Sequence, residues 1–133
     1  MKRLKGSCFC GGIKYEISGK LKVLLNCHCS DCRKAHGAAF RTRASIKFSE
    51  FQFLEGEHLL KGYRAKATEE RCFCSVCGSP IFTRIDGSED IGLALGTLDD
   101  DPGVQSTMHV FVSDKAPWHQ ITDTLPQFSE FPE

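Results

Sequence analysis

The stretch Cys72-Phe73-Cys74-Ser75-Val76-Cys77-Gly78-Ser79 repeats the spacing of an earlier one, Cys27-His28-Cys29-Ser30-Asp31-Cys32. Both read C-x-C-x2-C. A third cluster, Cys8-Phe9-Cys10-Gly11-Gly12, lies near the start, so all eight cysteines of the 133 residues fall in three short runs. Cysteines one residue apart are poor disulfide partners, because the small ring they would close is strained. They can share a metal ion, which takes sulfurs at about 2.3 Å and relaxes that geometry. Two zinc sites are therefore expected, with a disulfide or redox framework as the competing reading. The basic opening Met1-Lys2-Arg3-Leu4-Lys5 is not followed by an apolar signal core. The longest aliphatic run near it is Val23-Leu24-Leu25, far short of the roughly 20 apolar residues of a membrane span. A cytoplasmic setting is expected, where thiols serve as ligands or nucleophiles more than as disulfides.

Outward from the cysteines the chain reads as short strands. Ile13, Tyr15 and Ile17 alternate with polar residues up to Ser18-Gly19. Leu21 to Leu25 delivers the chain to Cys27. Ser30-Asp31 is expected to cap a short helix through Cys32 to His36, ended by Gly37. Strands are expected over Ala38–Ala44, Ile46–Phe48, Phe51–Leu54, Leu59–Tyr63 and Glu70–Cys74. More are expected at Ile81–Thr83, Ile91–Leu95 and Met108–Val112, with a hairpin turn at Asp86-Gly87-Ser88. The pattern predicts a mainly-β fold of short antiparallel strands, in two packed sheets, with one short helix near the second cysteine cluster. Nothing divides the chain, so one domain is expected over residues 1–133. Asp99-Asp100-Asp101 reads as an exposed acidic turn, because its spacing is not that of a calcium loop. Trp118, Leu125, Phe128 and Phe131 are expected to cap a core edge.

Lys and Arg number 17, as do Asp and Glu. That balance argues against a nucleic-acid module and against a polybasic membrane-surface protein. It counts the cysteines as neutral. Seven thiolates against two Zn²⁺ would leave three net negative charges, and eight would leave four.

The sulfurs divide in two ways. In both, Cys8 and Cys10 close a four-sulfur site with Cys74 and Cys77, inert and structural. Cys27, Cys29 and Cys32 then form either an open three-sulfur site, with a position for water or a substrate thiol, or a closed one with Cys72 as fourth ligand. Cys72 and Cys74 lie two apart on an expected strand and share a face, which favours the open site. His28 fills the position between two ligands and is expected to face away, with a base or an alternative ligand as the competing reading, and His36 reads similarly. His109 reads as a core histidine. Arg33, Lys34, Arg41 and Arg43 read as surface charges, with substrate contact as the alternative. No general base stands out.

Cys8-x-Cys10-Gly11 with Tyr15, Cys27-His28-Cys29-x-x-Cys32, Phe73-Cys74-x-x-Cys77-Gly78-Ser79, Gly96-Thr97-Leu98-Asp99, His109 and Pro117-Trp118 together resemble the glutathione-dependent formaldehyde-activating enzyme family. Centromere protein V shares that domain. The resemblance implies a zinc-stabilised β-tent. It implies a structural zinc on Cys8, Cys10, Cys74 and Cys77 and a second zinc on Cys27, Cys29 and Cys32. It implies a carbon–sulfur lyase that adds glutathione to formaldehyde, giving S-hydroxymethylglutathione. Its partners would be a small thiol and an aldehyde, with no nucleic acid and no membrane. Cys72 departs from the family pattern. Three functions follow: thiol addition at an open zinc site, a scaffold with two closed sites, and a thiol redox enzyme using Cys72.

Overall fold

The structure is a computed structural model and describes residues 3–132. Met1 and Lys2 of the basic opening, and Glu133, lie outside the described residues. The chain forms two compact units, one of residues 3–22 and 44–104, the other of residues 23–43 and 105–132.

In the first unit, β1 (Leu4–Ser7), β2 (Lys14–Ile17) and β5 (Phe51–Glu55) make a three-stranded antiparallel sheet in the order β1-β2-β5. Alternation decides its inner face: Ile13, Tyr15 and Ile17 are fully buried. A meander follows, with β6 (Leu60–Lys66), β7 (Glu69–Cys74), β8 (Pro80–Ile85) and β9 (Asp90–Ala94) each antiparallel to the next. The turn at Asp86-Gly87-Ser88 joins β8 to β9, with Gly87 at φ 81°, a conformation glycine adopts without steric cost. The inner faces of both sheets share one core, which includes Ile13, Tyr15, Ile17, Phe51, Ile81, Phe82 and Leu93.

In the second unit, β3 (Lys22–Cys27, in this unit from Val23) leads to α1 (Ser30–His36). β4 (Arg41–Lys47) leaves it and ends in the first unit. β10 (His109–Val110) runs beside β3. A smaller core gathers Leu25, Cys27, Cys32 and Val110, with Met108, Phe111 and Phe128 against it.

The fold is mainly β with one α-helix, as the strand pattern predicts. Several details differ. The runs expected as two strands over 38–48 form the single strand β4, and Phe48 starts a 3-10 turn. Of the expected strand Met108–Val112 only His109–Val110 pairs, because Phe111 turns into the left-handed region at φ 57°. That pairing is parallel to β3, an exception beside the antiparallel pairings of the sheet and meander of the first unit, which are as expected. The helix cap is Cys29, whose Sγ accepts from the Cys32 N–H at 3.3 Å. Ser30 and Asp31 are the first residues inside the helix. Gly37 ends it in the left-handed conformation. Phe128 packs on the core edge as expected, but Trp118 does not: it is 71% exposed.

Candidate metal centres

The first cluster is held by two tight turns of the first unit. Cys8-x-Cys10 precedes β2, and Gly11 adopts φ 78° so that the chain can turn back. Three N–H groups then point inward: Gly11 to the Cys8 carbonyl, Gly12 to the Cys10 sulfur at 3.4 Å and Ile13 to the Cys8 sulfur at 3.2 Å. The second turn follows β7. Gly78, also at φ 78°, donates to the Cys74 carbonyl, and the Cys74 N–H donates to Ser79. The turns bring four sulfurs within 4.8 Å of one another. The Cys8 and Cys10 sulfurs are 3.6 Å apart, and those of Cys10 and Cys74 are 3.9 Å apart. A tetrahedral zinc with bonds of 2.3 Å requires sulfurs about 3.8 Å apart. Those two separations lie either side of that value, and four thiols are the donor set such an ion takes.

Electrostatics at this cluster already favours ionised sulfur at one corner. Burial pushes the Cys77 thiol up. The backbone N–H groups of Cys10 and Ser79, with the neighbouring thiols of Cys74 and Cys10, more than reverse this and bring it down to about 6.

The second cluster lies entirely in the second unit. β3 ends at Cys27, the chain turns through His28, and Cys29 and Cys32 stand at the start of α1. The three sulfurs lie within 4.8 Å of one another. The neighbouring thiols of Cys29 and Cys32, and then burial, push the Cys27 thiol well above its ordinary range. Three crowded sulfurs of one sign require a cation to ionise together, and a thiophilic ion is the partner their chemistry suits.

Cys72 belongs to neither cluster. It is buried on β7, with its sulfur 3.6 Å from Glu70 Oε1. Burial and the Glu70 carboxylate push its thiol up to about 11. Among the described residues no disulfide forms.

His28 and His109 are buried, but they face one another rather than separate surroundings. His28 Nε2 lies 2.8 Å from His109 Nδ1, and His109 Nε2 lies 3.0 Å from Asp123 Oδ2. The Phe40 and His119 rings flank His28 at centroid distances of 4.9 and 6.1 Å. Burial, with His109 and His119 nearby, lowers the His28 imidazole to about 4. The sequence does not signal this chain of contacts, because its members lie 81 and 14 residues apart.

Arg41, expected as a surface charge, is 3% exposed, whereas Lys34 is exposed. Arg33 and Arg43 are half-buried. At the acidic turn, Asp99 accepts from the Ser7 hydroxyl and Asp100 from the Lys5 N–H. These two carboxylates hold the edge of β1.

The fold and its two thiol clusters define a mainly-β, cysteine-rich protein in which each cluster could hold a metal ion. Residues 3–114 match the family described as glutathione-dependent formaldehyde-activating enzyme, and the chain belongs to that family. The match takes in all eight cysteines and His109, and ends before Trp118 and Asp123. The crystal structure of a Rhodobacter sphaeroides protein is similar, with a TM-score of 0.61 and 25% identity. The likeness covers 73% of this chain and 89% of that one.

Proposed function

We propose that the protein adds a small thiol, glutathione or a close relative, to a small aldehyde at an open zinc site made by Cys27, Cys29 and Cys32. Cys8, Cys10, Cys74 and Cys77 would hold a second, structural zinc. The observation that carries this reading is the inequality of the two clusters, four sulfurs against three. Four complete a tetrahedron, and three leave one position for a substrate. Family membership supports the choice of thiol and aldehyde.

Zinc at the trio would supply one thing, the stabilisation of a bound sulfur as its thiolate. The chain does the rest. Cys29 caps α1 with its sulfur and so fixes the spacing of the trio. Arg33 and Arg43, in the same unit, offer positive charge to an anionic thiol substrate. The reaction forms one carbon–sulfur bond and opens the carbonyl π bond. The proton released by the thiol ends on the carbonyl oxygen, so no oxidant or reductant is needed. A single domain over residues 1–133 and a cytoplasmic setting belong to the same proposal. Among the described residues, no helix is long and apolar enough to cross a membrane.

The test is exchange NMR of glutathione with formaldehyde in the presence of zinc-loaded protein. Adduct formation faster than the uncatalysed rate is expected, lost in Cys29→Ser and kept in Cys72→Ser. No acceleration by the wild type would contradict the reading. Loss of one zinc in Cys72→Ser would favour the closed scaffold. Retention of both zincs with loss of a reductase activity would favour the redox enzyme.

A further inference from the structure

The C-terminal segment lies beyond the family match, yet it is built onto the strand that carries the thiol loop. β10 pairs with β3, placing His109 opposite Asn26 and Val110 opposite Cys27. The Asn26 N–H donates to Met108 and the His28 N–H to Val110, both at 3.0 Å. On the opposite side of β10 the tail continues the pairing. The His109 N–H donates to Pro126 and the Phe128 N–H to His109, both at 2.9 Å. Phe131 lies edge-on to Phe111, and Arg43 sits over its ring.

The side chains make a second link in the same direction. A carboxylate at neutral pH only accepts, so the proton on His109 Nε2 points to Asp123. In the tautomer with that one ring proton, Nδ1 is bare and accepts from His28 Nε2–H at 2.8 Å. This order leaves His28 Nδ1 without a hydrogen, and that buried atom is one that has no partner. The opposite order would bury an N–H with no acceptor, which costs more.

We propose that Asp123, acting through His109, is a positioning residue for the thiol trio. It locks His28 in the Nε2–H tautomer and so clamps the loop whose flanking residues are Cys27 and Cys29. The importance of that clamp to chemistry rests on the trio being the reactive metal site, as proposed above. The tautomer lock does not.

The experiment uses zinc-loaded full-length protein with ¹⁵N-labelled histidine. The wild type should show His28 Nδ1 at an unprotonated shift and Nε2 at a protonated one. In Asp123→Ala this signature should be lost. Chelator-driven zinc release from the trio should quicken on the order of tenfold, with release from the four-thiol site unchanged. Asp123→Asn keeps an acceptor oxygen and should behave as the wild type. An unchanged His28 signature in Asp123→Ala, unchanged release from the trio, or equal acceleration at both sites would overturn the proposal. If the wild-type trio takes up no zinc, the functional reading fails on its own. Alkylation rates of Cys27 and Cys29 in Asp123→Ala against wild type then decide this one, and equal rates overturn it.

Discussion

Gly6 on β1 and Tyr15 on β2 fit so closely that a methyl group at Gly6 would lie 2.2 Å from the tyrosine ring and hydroxyl. The hydroxyl is fixed in turn, 2.6 Å from Thr97 Oγ1, which donates to the Ala94 carbonyl. Neither partner can retreat, because Tyr15 is fully buried. Gly6→Ala should therefore destabilise the fold by about 1–3 kcal/mol, the cost of overpacking, as urea unfolding would measure. Asp123 makes a pH-dependent contribution. The hydrogen bond from His109 and the Leu125 N–H hold its carboxyl below the ordinary value of 3.8. A depressed carboxylate stabilises fully above that value, and the effect fades as pH falls through the folded one. The stability gap between wild type and Asp123→Asn should be constant well above 3.8 and shrink as pH falls through that value and on through the lower folded one. The two residues also mark what a sequence reveals. Tyr15 is legible as an inward position of an alternating strand. The link from Asp123 through His109 to His28 is not, because only tertiary packing brings distant polar residues together.

At the scale of elements, cysteine spacing and glycine positions were the legible signals. A loop of one or two residues between thiols, followed by glycine, is a turn whose amides face sulfur, and Gly11 and Gly78 both adopt the left-handed conformation this needs. Strand ends were less legible. The apolar run from Met108 looks like a strand to Val112, but a single left-handed residue, Phe111, stops the ladder. The helix cap is not legible because sulfur is a rare capping atom, and the cluster places Cys29 where Ser or Asp usually stands. One element carries visible strain. Val23, β-branched and 55% exposed, sits in β3 at φ 49°. That conformation costs an L-residue about 1–2 kcal/mol and costs glycine little. Val23→Gly should raise the unfolding midpoint by the equivalent of about 1 kcal/mol, measured in urea.

At the scale of the molecule, each compact unit carries one thiol cluster. The first unit has four sulfurs near the spacing of a tetrahedral zinc site. The second has three, on a loop between a strand and the helix it caps. Cys72 lies apart, beside Glu70. Formal neutrality counts these thiols as uncharged; metal held at both clusters would make them anions and gather the charge at two points. The most direct test is ¹¹³Cd NMR of protein loaded with two cadmium ions. The account requires two resonances, one at a four-sulfur shift that ignores added glutathione and one that moves toward the four-sulfur position as glutathione supplies the missing sulfur. Two four-sulfur resonances in the free protein, neither responding to glutathione, would contradict it.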